Sequence, residues 1–106
     1  MARQFLINKG HQILATNYRS GHKEIDIIST DKAVLVFSEI KTRSSYDFGF
    51  PEEAIHGRKK QLLLEAAEAY LAAHNKYTQI RFDVISILIR QGKAPEILHF
   101  EDAFYE

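Results

Sequence analysis

The sequence predicts an α/β fold, a mixed sheet of about five strands flanked by helices. Three stretches carry that reading. Two runs rich in β-branched residues, Glu24 to Thr30 and Ala33 to Arg43, flank a short polar Asp31-Lys32 link and read as a β-hairpin. From Arg58 to about Asn75, Leu62, Ala66, Ala69, Tyr70 and Ala73 fall at helical spacing, with Leu63, Ala67 and Leu71 widening the stripe. Gln79 to Arg90 is rich in Ile and Val, the pattern of a strand buried on both faces. The long helix then covers one face of the sheet, and a shorter N-terminal helix lies near the other.

The remaining elements follow in order. Ala2 to Lys9 carries Phe5 and Leu6 and stops at Gly10, as the last turns of a helix with a glycine cap do. From His11 to Arg19, Ile13, Ala15, Asn17 and Arg19 alternate with Leu14, Thr16 and Tyr18, which predicts a first strand. Ser20-Gly21-His22 is the turn into the hairpin. Ser44 to Gly57 holds Gly49 and Pro51 and no sustained period, so it reads as a loop with one helical turn at Pro51 to Ala54. Its aromatics Tyr46, Phe48 and Phe50 could stack on bases, although closing the loop over the core is the commoner use of such residues. Gln91 to Pro95 turns the chain into a last edge strand, Glu96 to Phe100.

Composition sets the bounds. A chain of 106 residues, 45% hydrophobic and 26% charged, is expected to form one globular domain over residues 1–106. It has no apolar run of membrane-spanning length and no charged-then-apolar signal segment, so no membrane partner and a cytoplasmic location are expected. The absence of cysteine excludes disulfides, thiolate metal sites and a cysteine nucleophile. Fourteen Lys and Arg balance fourteen Asp and Glu, which argues against non-specific coating of nucleic acid. Any contact with DNA or RNA has to come from a local patch.

The hairpin carries the chemistry. Side chains alternate along a strand, so an even-numbered loop gathers Glu24, Asp26, Ile28, Leu35, Phe37, Glu39 and Lys41 on one face, with Ile25, Ile27, Val34, Val36 and Ile40 on the other. The first face is apolar near the loop and charged at its open end. Clustered carboxylates repel unless a cation neutralises them. Hard oxygen donors on rigid strands suit Mg²⁺ or Mn²⁺, with the backbone carbonyl of Ile40 available beside Glu39. The competing reading is a cross-strand ion-pair ladder in which Glu24 and Asp26 face Lys41 and Arg43.

Asp26 followed by Glu39-Ile40-Lys41 is similar to the D…(D/E)-x-K half-motif of the PD-(D/E)XK nuclease superfamily. The blocks GHKEIDII, LVFSEIKTRSS, FG and PEEA between Phe48 and Ala54, the Lys60 to Leu71 helix and RFDVISI resemble, in order, those of the YraN family. That resemblance implies a restriction endonuclease-like fold, similar to that of archaeal Holliday junction resolvases. It implies a metal-dependent nuclease acting on DNA, with Asp26, Glu39 and Lys41 catalytic. Asp26, Glu39 and the Ile40 carbonyl would hold Mg²⁺ or Mn²⁺, with Glu24 assisting. The alternative is a non-catalytic module on the same scaffold that binds nucleic acid or a protein partner. Members of the family generally begin earlier, with a Gly-Glu pair on the first helix, so weak metal binding is expected of this chain. Sheet surface left uncovered there could be buried in a symmetric homodimer with Phe5 and Leu6 near the contact.

Two further groups stand out. Arg58-Lys59-Lys60 opens the long helix, at the end where the macrodipole disfavours cations and free N–H groups favour anions. With Arg43 they are candidate nucleic-acid contacts, unless they form only a solvated helix end beside Glu52 and Glu53. The five histidines, at 11, 22, 56, 74 and 99, show no metalloprotease spacing. His22 reads as a turn residue, and Asp83, inside an apolar strand, needs a partner that Arg81 can supply.

Overall fold

Two hairpins, a helical crossover and a returning edge strand build one five-stranded sheet in the order β1-β2-β3-β4-β5. This is seen in a computed structural model, in which residues 1–44 and 57–103 are described. Strands β1 (Gln12–Ser20), β2 (Lys23–Asp31) and β3 (Val34–Arg43) are antiparallel neighbours; β4 (Ile80–Leu88) runs parallel to β3, and β5 (Glu96–Phe100) returns antiparallel to β4. A parallel pair needs a crossover rather than a tight turn. Helix α2 (Gly57–Ala73) lies in that crossover, and helix α1 (Ala2–Asn8) precedes β1. The arrangement is an α/β fold consistent with the restriction endonuclease-like class. The expected loop at Ser44 to Gly57, with its aromatics, falls almost wholly on residues 45–56, outside the described part of the chain.

The sheet is apolar on both faces because each helix covers one. Ile25, Ile28, Leu35, Phe37, Phe82 and Val84 pack against Leu63, Ala66, Ala67 and Tyr70 of α2. Ile27, Ile85 and Ile87 pack against Ala2 and Leu6 of α1, with Phe5, Ile13, Ile40 and Ile97 at the margin. Phe37 and Phe82, paired across β3 and β4, stack at 5.3 Å between centroids. A side chain of that size contributes about 1.5–3 kcal/mol by leaving water. Leu6, expected near a symmetric contact, is fully buried within the chain itself.

Three local details differ from the sequence reading. The stripe that α2 buries is Leu63, Ala66, Ala67 and Tyr70, while Leu62 and Ala69 are only half-buried and Ala73 is exposed. An alanine-rich helix leaves its rotation open, and Tyr70 fixes it by meeting Tyr18 and Phe37 edge-on at 5.3 and 6.1 Å. The hairpin turn is Lys32-Ala33 rather than Asp31-Lys32, with Asp31 opposite Val34. That shift moves the partner of Ile28 from Leu35 to Phe37 but preserves the parity of the register, so all three still share one face and one cluster. Ile25, expected opposite that group, packs with it. The β2–β3 pairing ends at Ile27↔Ser38, and beyond it the strict alternation of β2 is lost.

Helix α1 ends as the glycine predicts. Gly10 takes φ +97°, its N–H donates to the Ile7 carbonyl, and the His11 N–H donates to the Leu6 carbonyl, at 3.0 and 2.9 Å. These two bonds form a Schellman cap and aim the chain into β1.

Candidate functional site

The end of β2–β3 pairing creates the site. Where the backbone ladder stops, the Asp26 carboxylate takes over, its Oδ2 accepting the Ile40 N–H at 2.8 Å. This bond ties Asp26 to the backbone beside Glu39 and holds the two strands together where they no longer pair. Glu39 lies in the middle of β3, opposite Val84 on the parallel side. Its side chain is only 8% exposed.

Glu39 is unevenly satisfied. Its Oε1 lies 2.8 Å from the Lys59 ammonium, which reaches over from the first turn of α2. Its Oε2 is buried and has no hydrogen-bond partner among the described residues. A buried carboxylate oxygen without a donor is costly, so such an atom is suited to accept a cation or a donor. The Ser38 and Ser86 hydroxyls and Arg43 Nε share that state; the two neutral hydroxyls lose far less by burial than a charged oxygen does, and the Arg43 cation cannot serve as a metal ligand.

Lys59 gathers the acidic group. Its hydrogen bond to Glu39 is the main reason its pKa is raised, and the charges of Glu39, Asp26 and Glu24 add to that against the opposing effect of burial. All three carboxylates therefore lie within electrostatic reach of one ammonium. Glu24 also forms an ion pair with Arg19 of β1 at 3.0 Å. The first turn of α2 contains no acid, and cations there cost about 0.3 kcal/mol or more each against the macrodipole. Glu39 is the partner that makes Lys59 tolerable at that end. Arg58 is exposed nearby, Lys60 is half-buried, and Lys23 bridges β2 to α2 through Glu65 at 3.0 Å. Lys41 and Arg43 sit half-buried toward the end of β3, two and four residues past Glu39. His22 lies exposed in the turn before β2.

A second polar cluster lies around Asp83. Arg81 donates to both of its oxygens, Nε to Oδ1 at 2.9 Å and Nη2 to Oδ2 at 3.0 Å. His99 Nε2 meets Oδ2 at 2.8 Å, and the Asp102 N–H donates to Oδ1 at 3.1 Å. The Lys9 ammonium lies 2.8 Å from His99 Nδ1, which makes Nδ1 the acceptor and Nε2 the protonated nitrogen. Arg81 extends the network to Asp31 and Glu101, both at 3.3 Å. His11 reaches it through Asp31, 3.9 Å from its Nε2, is bonded to Ser29 at 2.9 Å and lies beside His99, with ring centroids 6.1 Å apart. Burial by itself would raise the Asp83 carboxyl; the bonds from His99, Arg81 and the Asp102 backbone overcome it and hold the pKa below the ordinary value. Burial also lowers the pKa of His11, more than the nearby Asp31 raises it.

Asp83, His99 and Glu101 bring three ligand atoms within 4.8 Å of one another, a spacing that could hold a metal ion. Among the described residues no other trio of such ligands does so, and Glu24, Asp26 and Glu39 are not that tightly convergent. The Arg81 guanidinium already pairs with both Asp83 and Glu101 of that group as a cation. Sequence reasoning supplied the Arg81–Asp83 pair but missed His11, His99 and Lys9. The signal was recoverable only from register: β5 pairs His99 with Ile85, which puts the imidazole diagonally next to Asp83 on one face.

The fold and the site together define an α/β protein with a tethered aspartate and a buried, half-satisfied glutamate at the open end of a hairpin. The chain belongs to the Uncharacterised protein family UPF0102, the YraN-like family, whose model matches residues 1–87. It is 44% identical to a UPF0102 protein of Flavobacterium psychrophilum over 96% of this chain and 85% of that one. A UPF0102 protein of Natranaerobius thermophilus is 46% identical, with 98% and 90% covered. One from Chlorobium phaeobacteroides is 48% identical, with 92% and 78% covered. No helix among the described residues is long and apolar enough to cross a membrane.

Proposed function

We propose that the chain is a metal-dependent nuclease of the PD-(D/E)XK type, hydrolysing phosphodiester bonds of DNA around Asp26, Glu39 and Lys41. The observation that carries this reading is Glu39 Oε2, a carboxylate oxygen without a partner among the described residues on a side chain more than nine-tenths buried, next to an aspartate fixed at the following residue. Hard oxygen donors of this kind fit Mg²⁺ or Mn²⁺. Asp26 and Glu39 would hold the ion, with the Ile40 carbonyl as a further donor and Glu24 assisting from its place near Lys59. When bound, the metal supplies Lewis acidity toward a phosphoryl oxygen and a more acidic water. Lys41, on the same strand as Glu39, orients the attacking water or offsets negative charge developing on the phosphate. Arg43, Arg58, Lys59 and Lys60 would meet the DNA backbone.

The alternative, a non-catalytic nucleic-acid-binding or partner-binding module, needs none of the acidic residues as ligands. Incubation with branched, single-stranded and duplex DNA plus Mn²⁺ separates the two. Cleavage that disappears in Glu39→Gln and Lys41→Met supports the nuclease. DNA binding without cleavage, unchanged by either substitution, supports the alternative.

A further inference from the structure

The acidic site already contains a cation, and it is not on the strands. Lys59 comes from helix α2, 60% exposed along its side chain, and places its ammonium 2.8 Å from a carboxylate oxygen that is almost wholly buried. The other oxygen of the same carboxylate is unpartnered among the described residues. One oxygen of Glu39 is therefore neutralised by a lysine whose stem is mostly in solvent, and the other is buried without a hydrogen-bond donor among the described residues. An ammonium and a divalent ion a few ångströms apart repel strongly in a partly buried site. Lysine is a point charge on a flexible four-carbon stem, so Lys59 can swing out to solvent without moving the helix backbone.

Resting on the metal-site reading, we propose that Lys59 is the resident counter-ion of the Asp26–Glu39 site, that a divalent metal binds by exchanging with it, and that the released ammonium turns to a backbone phosphate of the nucleic acid. The first turn of α2 suits that second position. Arg58 is exposed beside Lys59, and the helix N-terminus carries no acid to oppose an anion. Metal and nucleic acid then bind with positive coupling, since each favours the state in which Lys59 has left Glu39. The arrangement also keeps the buried carboxylates compensated when metal is scarce. It gives the three-cation start of α2 a use that a solvated helix end does not.

The test is calorimetric titration of Mn²⁺ into the wild-type chain and into Lys59→Met, Lys59→Arg and Glu39→Gln. Exchange predicts that Lys59→Met binds Mn²⁺ about fivefold or more tightly than wild type, within the ordinary range of coupling between two binding events. Lys59→Arg keeps the cation and should bind no more tightly than wild type, while Glu39→Gln should lose the binding. Thermal midpoints give a second readout: Lys59→Met should melt below wild type without metal and recover with Mn²⁺. Should the methionine variant fail to fold, Lys59→Gln takes its place. Equal Mn²⁺ affinity in wild type and Lys59→Met, still lost in Glu39→Gln, would overturn the exchange and leave the metal site standing. No binding by either would overturn both.

Discussion

Asp83 and Glu39 are both buried carboxylates on the paired central strands, and they are treated in opposite ways. Asp83 is saturated: a bidentate guanidinium, an imidazole N–H and a backbone N–H fill its two oxygens. Glu39 has one oxygen held by a lysine that is mostly in solvent, and the other unpartnered among the described residues. A saturated buried charge joins elements together. Asp83 connects β4 to β5 through His99 and to the chain after β5 through Asp102, and Lys9 brings in the residue after α1. An unsaturated one has capacity to spare, and in a folded protein such capacity is kept at a site that something else completes.

The largest effect should come from the saturated side. Asp83→Ala leaves the largely buried Arg81 guanidinium and His99 without their shared acceptor, and breaking a buried pair in this way costs about 3–5 kcal/mol. Urea denaturation would show it as a fall in midpoint. A loss under about 1 kcal/mol would mean that the network contributes little to stability. Glu39→Gln should behave differently, changing stability by within about 1 kcal/mol, because it removes a buried, incompletely compensated charge together with an ion pair whose lysine is mostly exposed. A collapse of stability in Glu39→Gln, comparable to that of Asp83→Ala, would erase the contrast between the two carboxylates.

A smaller effect is expected from pH. His11 is buried with its folded-state pKa below the ordinary 6.5, so the unfolded chain binds a proton that the native chain resists. Its contribution is fully present above 6.5 and is lost as pH falls from there through the folded value. Denaturation midpoints should therefore decline on acidification below 6.5, and His11→Gln should flatten that decline. The depressed Asp83 carboxyl works in the same sense at lower pH, its stabilisation fading as pH drops below the ordinary 3.8. The smallest effect concerns binding. Replacing Arg58, Lys59 and Lys60 by Ala should weaken duplex DNA binding and flatten its salt dependence by a slope of about 0.9 for each DNA phosphate that is no longer neutralised. An unchanged slope would make those residues only a solvated helix end.

The fold was legible because local periods and global packing agree. β5 falls on the residues the turn at Gln91 to Pro95 predicts, and Gly10 caps α1. The rotation of α2 was not legible, since alanines at 66, 67, 69 and 73 give several stripes of similar hydrophobicity and only the rings around Tyr70 choose among them. At the site, the Arg81 partner of Asp83 could be read from alternation. The tether from Asp26 to Ile40 could not, because it appears where alternation fails. The meeting of Lys59 with Glu39 depends on how a helix lies across the sheet, which no local pattern encodes. The same is true of His11 and His99, residues far apart in the chain whose rings the sheet brings side by side.

Glu39, with an oxygen unpartnered among the described residues, and the Asp83, His99 and Glu101 group, with metal-ligand spacing, are the two competing places for a divalent ion. Mn²⁺ titration of Glu39→Gln and His99→Gln by calorimetry compares the two groups in one experiment. Glu39→Gln should lose the binding seen in wild type, and His99→Gln should keep it. Binding that survives Glu39→Gln and vanishes in His99→Gln would place the metal in the saturated network and overturn the assignment to Glu39.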